Sequence, residues 1–203
     1  MIKVYVIKLL ASIVRMLRGE ISTNQLIKRG LKVGYNFSRE GGVRIDTSYC
    51  FLIELGNNVT LAPEVIILAH DNSLKKHLGI SKIGRVSIGN NVFIGARTVI
   101  LPNVKIGDNV VIGAGSLVNK DVPSNTVYAG NPARFICTLD EHKRKNLTLK
   151  SHRPFFDRRF SPLKLSDEDK TFMKKELSNE FGYFKCENYD RINSEKENEN
   201  DIS

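Results

Sequence analysis

From Leu55 to Pro123 the chain is written in units of six, and no other feature limits its fold so sharply. Hexads starting at Ile88 read IGNNVF, IGARTV, ILPNVK, IGDNVV, IGAGSL and VNKDVP. An earlier block, LGNNVT, LAPEVI and ILAHDN, starts at Leu55 and obeys the same rule. Position one is always aliphatic: Leu55, Leu61, Ile67, then Ile88, Ile94, Ile100, Ile106, Ile112 and Val118. Position five of the later block is Val92, Thr98, Val104, Val110, Ser116 and Val122, and glycine holds position two at Gly89, Gly95, Gly107 and Gly113. Helices repeat every 3.6 residues and half-buried strands every two, so neither explains a period of six. Short strands joined by tight turns do, with three faces to a coil of about 18 residues. The first-position aliphatics then point inward and stack coil upon coil. Gly or Asn supplies the turns, which need positive φ or a close backbone approach. One coil cannot bury such a stack alone, so its neighbours must.

The two blocks are out of phase. Ile67 to Ile88 spans 21 residues, three more than a coil. The stretch Asp71–Arg85, DNSLKKHLGISKIGR, must therefore leave the coil as a loop, and its composition is polar. Loops that interrupt a rigid repeat are where function concentrates. The expected fold is mainly β, a parallel β-helix over residues 31–136 with helical segments at both ends.

Residues 1–30 form the N-terminal helical segment. Over residues 1–18, Lys3, Lys8, Arg15 and Arg18 share one arc of a helix, and Val4, Ile7, Leu10, Val14 and Leu17 fill much of the rest. Such a helix packs on its own domain or oligomer, or makes a peripheral contact with anionic lipid. Lys8 and Arg15 break the apolar run that a signal peptide needs. A second short helix is expected over Thr23–Arg29, with Ser22 as N-cap and Gly30 as its stop. Residues 137–185 are read as a C-terminal arm and helix. Asp140–Phe160 interleaves basic residues with Phe155, Phe156 and Phe160, and reads as an extended arm packed across an oligomer rather than a nucleic-acid site. Leu165–Phe184 reads as a helix opened by Ser166 and Asp169.

The formal charge is +9. From Cys186 to Ser203 six acids face only Arg191 and Lys196, which puts that tail at −4 and the remainder at +13. The tail, residues 186–203, is expected to be disordered. The basic remainder suits an anionic partner. Cys50, Cys137 and Cys186 are far apart with no CxxC spacing, which argues against a zinc site or redox dithiol and for a reducing, cytoplasmic setting. No run of about 18 apolar residues suggests a membrane span.

Three stretches together carry a family resemblance: LAHDN at 68–72, the IGNNVFIGA and IGDNVVIGAGS repeats, and KDVPSNTVYAGNPAR at 120–134. The chain resembles the hexapeptide-repeat acetyltransferases, among them galactoside, maltose and xenobiotic acetyltransferases, and is most similar to the O-acetyltransferases of bacterial capsule and lipopolysaccharide synthesis. The resemblance covers roughly residues 22–140. It implies a left-handed coil, a homotrimer, and acetyl-CoA as co-substrate in the groove between adjacent subunits. It also implies a sugar or polysaccharide acceptor, with no metal and no nucleic acid.

His70 matches the family's catalytic base by its place in LAHDN. A sugar hydroxyl is too weak an acid to attack a thioester at neutral pH unless its proton leaves during the attack. An imidazole with pKa near 6.5 can accept that proton. At Ala96 relatives often carry serine, so here only the backbone N–H is left to meet an oxyanion. Gly95, Ala96, Gly113 and Ala114 match positions where small residues admit the pantetheine arm. Lys120 and Arg134 match basic residues that meet the nucleotide phosphates, and Asn119 stands where a threonine is common. For the acceptor the candidates are Asp46, Asp71 and His77. Asp46, in RIDTSYC, either holds a sugar hydroxyl in a neighbouring subunit's pocket or caps a turn. Asp71 follows His70 directly, and alternation along a strand would point the two side chains to opposite faces. His77 lines the acceptor pocket or is solvated.

Two other functions share these features. An N-acetyltransferase of an amino sugar nucleotide would use the same base and groove, and a non-catalytic trimeric β-helix would bind a polyanion without using His70. A β-helix carbonic anhydrase is excluded, because that zinc chemistry takes three histidines and the repeats do not supply the third.

Overall fold

The computed structural model describes residues 21–162 and 164–186. The basic helix expected over residues 1–18 and nearly all of the acidic tail lie outside them. The chain divides into two compact units, with the boundary between His142 and Lys143.

The first unit opens on helix α1 (Thr23–Lys28). The Ser22 hydroxyl accepts from the Gln25 N–H, and the Gln25 side chain accepts from the Ser22 N–H. This reciprocal pair satisfies two donors at the helix start. Gly30, at φ 103°, turns the chain out of the helix.

From Lys32 the backbone winds through three parallel sheets. The first face holds β1 (Lys32–Val33), β4 (Ile53–Leu55), β9 (Val86–Ile88) and β12 (Val104–Ile106). The second holds β2 (Ser38–Arg39), β5 (Thr60–Leu61), β10 (Phe93–Ile94), β13 (Val111–Ile112) and β15 (Thr126–Ala129). The third holds β3 (Arg44–Ile45), β6 (Ile66–Ile67), β11 (Val99–Ile100) and β14 (Leu117–Val118). In the regular part Val86 pairs with Val104, Phe93 with Val111 and Val99 with Leu117, each 18 residues on. The period of six is thus one face of a three-sided coil.

All nine first-position aliphatics are buried, none more than 4% exposed. Each contributes about 1.5–3 kcal/mol on burial. Two fifth positions carry hydroxyls instead, and neither is stranded. Thr98 and Ser116 are buried and both donate to the Gly113 carbonyl, at 3.1 and 2.6 Å.

The two turn requirements that the sequence leaves together fall at separate positions. Position four takes the left-handed conformation: Asn58, Asn91, Asn103 and Asn109 have φ between 54° and 62°. Asparagine tolerates that region better than other side chains. Glu64 and Arg97 adopt it too, and Arg97 Nε donates to Glu64 Oε2 across the coils at 2.7 Å. Position two needs glycine for closeness instead. A Cβ on Gly89 would stand 2.8 Å from the Gly107 carbonyl carbon, and one on Gly107 would stand 2.6 Å from the Ser124 nitrogen. At the corner between the first and second faces the asparagine amides also form a ladder. Asn36, Asn58, Asn91 and Asn109 each donate to the next amide oxygen, ending on Asn125, at 2.9–3.1 Å.

The winding stops after β15. A turn through Pro132 sends β16 (Arg134–Thr138) back antiparallel to β15. Proline there donates to no further rung.

Beyond it, two expectations are corrected. Much of the supposed extended arm is helical: α3 spans Leu139–Lys150. Its start is a Thr-x-x-Glu box, in which the Thr138 N–H donates to Glu141 Oε2 and the Glu141 N–H to the Thr138 hydroxyl. The helix expected over Leu165–Phe184 is shorter. Its box of Ser166 and Asp169 is present, but α4 ends at Glu176. Ser178, Asn179 and Gly182 are weak helix formers, and the backbone beyond them pairs as β18 (Tyr183–Phe184) with β17 (Phe155–Phe156). No described helix is long and apolar enough to cross a membrane.

Gly89→Ala should destabilise the coil by about 1–3 kcal/mol through overpacking. Gly41→Ala, where an added Cβ has no neighbour within 4 Å, should change stability by less than about 0.5 kcal/mol. Urea unfolding of the two variants beside the parent measures the difference; equal midpoints would show that backbone closeness does not select glycine at position two.

Candidate functional site

Departures from the regular coil gather where the third face hands over to the first. In a regular coil that step takes six residues, from Val99 to Lys105. It takes ten from Arg44 to Glu54 and 21 from Ile66 to Ser87. Adjacent coils therefore expel four and fifteen extra residues at one corner. The fifteen are the loop 71–85 foreseen from the phase shift. The four belong to a short bulge after Asp46, ending in the 3₁₀ turn Cys50–Leu52.

The bulge and the loop meet through Asp46 and His70. The Asp46 side chain is only 1% exposed. Its Oδ1 accepts from the Ser48 and Tyr49 N–H groups, each at 3.0 Å. Its Oδ2 accepts from the Ala69 N–H at 3.0 Å and is hydrogen-bonded to His70 Nδ1. Burial pushes this carboxyl up, but the bonds from His70, Tyr49 and Ala69, with the charge of His70, outweigh it and hold the pKa below the usual aspartate range. A carboxylate at Nδ1 fixes the ring proton there, which leaves the Nε2 lone pair free to accept another. The imidazole remains partly exposed at 26%, with the Tyr49 ring centroid 5.2 Å from its own.

Asp46 thus caps a turn, one of the two roles open to it in the sequence, and also backs the imidazole. Its side chain is buried and both oxygens are engaged inside the fold. The sequence reading missed the pairing with His70. Its signal was there, because Asp46 follows Ile45 just as Leu68 follows Ile67. The four-residue bulge shifts the register to 22 and hides the match.

His70 begins β7 (His70–Asp71), which pairs antiparallel with β8 (Lys82–Ile83) to close the neck of the loop. Asp71 does not orient the ring. Its Oδ1 accepts from the Ser73 N–H at 2.8 Å, and that bond holds its pKa down. His77 is exposed on α2 (Lys75–Leu78) at the loop's outer end.

The remaining candidates form two further groups. Asn119, Lys120 and Arg134 line one cleft of about 330 Å³ with Tyr128 and Phe135. Gly95, Ala96, Gly113 and Ala114 lie at a different corner, between the second and third faces. A Cβ on Gly95 would stand 2.4 Å from the Ala114 nitrogen, so this corner is held close and bare. The Ala96 carbonyl accepts from Gly115, while the Ala96 N–H has no acceptor among the described residues. One face, up to roughly 20 Å of extended chain, separates Ala96 from the His70 corner within a protomer. Among the described residues no group of three or more His, Cys, Asp or Glu is placed to hold a metal ion.

Comparison with known proteins places the repeat. Residues 85–120 match the family model described as bacterial transferase hexapeptide (six repeats). Protein CapG of Staphylococcus aureus is 41% identical over 139 residues, 66% of this chain and 80% of CapG. Galactoside O-acetyltransferase of Escherichia coli (strain K12) is 39% identical over 119 residues, 56% of this chain and 57% of the enzyme, little more than half its length. A solved structure of a galactoside acetyltransferase in complex with coenzyme A is 36% identical, covering 55% of this chain and 62% of that one, with a TM-score of 0.45. The chain belongs to the hexapeptide-repeat transferases. Within them it is an acyltransferase, of the acetyl-transferring kind.

The depressed Asp46 pKa makes a linkage prediction. Because the folded value lies below the unfolded one, its stabilising contribution is complete above about pH 4 and lost as pH falls through the folded value. The urea midpoint of the parent should therefore drop more steeply between about pH 5 and pH 2 than that of Asp46→Asn. Parallel declines would mean that the carboxylate is not held as described.

Proposed function

We propose that this protein is an acetyl-CoA-dependent O-acetyltransferase whose acceptor is a sugar hydroxyl, in the synthesis of a surface polysaccharide, with His70 as general base. The observation that carries this reading is the Asp46–His70 pair at the expanded corner. A partly exposed imidazole, with Nδ1 tied to a buried carboxylate, is equipped to take one proton at Nε2. Asp46 orients the ring, selects the tautomer and stabilises the imidazolium while the proton is held. His70 then returns the proton to the departing thiolate.

Acetyl-CoA supplies the acyl group as a thioester. The cleft beside β16 suits its nucleotide end. Its volume lies within the range of small-molecule sites, and Lys120 and Arg134 offer cations to phosphate oxygens. Gly95, Ala96, Gly113 and Ala114 provide a close, bare surface for the pantetheine arm, and the unpartnered Ala96 N–H suits developing negative charge on the acyl oxygen.

Ala96 and His70 lie at opposite ends of the third face in one chain. That separation supports a homotrimer in which His70 of one protomer faces the Ala96 corner of the next, on coils wound left-handed as the resemblance implies. The protein works in the cytoplasm on this reading.

His70→Ala should fold as the parent does and lose roughly 10²- to 10⁴-fold in acetyl transfer to a sugar acceptor. Lys120→Ala and Arg134→Ala should each raise the KM for acetyl-CoA about tenfold, the loss of one charge-assisted hydrogen bond, with kcat nearly unchanged. Steady-state kinetics on purified protein tests both; near-parental turnover in His70→Ala ends the general-base reading.

A further inference from the structure

We infer that Tyr49 and Phe51 form an aromatic platform beside His70 that receives the apolar face of a pyranose acceptor. The inference rests on the proposed acetyl transfer and narrows its substrate class.

Tyr49, partly buried against the core, contacts both the imidazole and Phe51. The Tyr49 ring lies 5.2 Å from the imidazole, tilted by 46°. The Phe51 ring lies 6.1 Å from that of Tyr49, tilted by 47°. Phe51 is 54% exposed although it sits in a fixed segment. Its neighbour Cys50 is buried, with its thiol toward the carbonyls of Leu26 at 3.7 Å and Arg29 at 3.5 Å. Gly30 makes the position possible: a Cβ there would come within 2.7 Å of the Phe51 Cβ. Helix α1 therefore holds the inner side of the bulge while the phenyl ring faces out.

The bulge thus does two things at once. Asp46 at its start holds the imidazole through Nδ1, and its far end carries Tyr49 beside that ring and the exposed Phe51 next to Tyr49. Aromatic faces carry partial negative charge. A pyranose ring presents C–H bonds, weakly positive and apolar, on its faces; in galactose those at C3, C4 and C5 share one side. Stacking that side on Tyr49 and Phe51 leaves the sugar's hydroxyls at the rim, one of them toward Nε2. An acyclic alcohol has no such face and would gain nothing from the platform.

Saturation-transfer difference NMR on the full chain tests this, with methyl glycosides of galactose, glucose, mannose and N-acetylglucosamine as probes and glycerol as control. At least one pyranoside should show saturation concentrated on the C–H protons of one ring face, and glycerol none. Phe51→Ala should weaken that binding about tenfold, as expected for one lost stacking contact, and Phe51→Trp should restore it. With an acetylated pyranoside, Phe51→Ala should raise the acceptor KM and leave the KM for acetyl-CoA alone. No saturation from any pyranoside, or binding indifferent to Phe51→Ala, overturns the inference. So does a changed sedimentation coefficient in Phe51→Ala, which would put the ring between subunits. None of these results touches the general-base reading, which stands or falls on turnover in His70→Ala.

Discussion

The inward stack of aliphatic side chains governs everything else in the coil. Ile88, Ile94, Ile100 and their counterparts are buried only if each turn of backbone lies in register on the one before it. Through Val118 the wall keeps 18 residues to a coil and insertions leave it entirely, because a partial slip would carry the apolar set out of the core. The last turn is tighter, with Val127 pairing 16 residues on from Val111. Extra residues must be expelled at corners, where the backbone already turns. Here the ten-residue and 21-residue steps occur at the same corner of adjacent coils, so the two expelled segments touch. Asp46 and His70 lie 24 positions apart, yet the stack of the coil makes them neighbours.

Burying Asp46 is expensive in isolation, since an ionised carboxylate loses its hydration. The local backbone offsets that loss with three N–H donors, two from the bulge and one from Ala69. These donors are there because the chain turns sharply on both sides of the carboxylate. The turn that expels the bulge thus also solvates the charge, and a charge held by backbone donors cannot swing away from the imidazole. Reorganisation at the ring is correspondingly small, which is what electrostatic preorganisation requires.

The regular part of this fold was legible because each residue there answers to a local rule. Aliphatics at position one, glycine at position two and asparagine at position four report burial, close approach and positive φ in turn. The loop 71–85 was legible for the complementary reason, as a break in phase between two unbroken blocks. The first coil was harder to read. Its first positions are Val33, Arg39 and Ile45, so the charged Arg39 breaks the aliphatic rule on the second face, and the bulge then shifts the register to 22. Asp46 could be named as a candidate but not paired. The extent of α3 was lost for another reason. Leu139, Leu147 and Leu149 are its only apolar residues and none is buried, so they trace no hydrophobic period. Only the box formed by Thr138 and Glu141 announced it.

A rigid coil also divides the labour of the proposed reaction. The corner carrying Gly95, Ala96, Gly113 and Ala114 belongs to regular hexads, in which little can change without breaking the stack. The corner carrying Asp46, Tyr49, Phe51 and His70 is built from residues the stack has already released. Substitutions at its exposed positions, Phe51 among them, leave that stack untouched. A donor common to many enzymes suits the conserved geometry of the wall, and an acceptor that differs between enzymes suits the expelled segments. On this view chemistry and specificity meet at His70, the residue at which the chain leaves the coil and enters the loop.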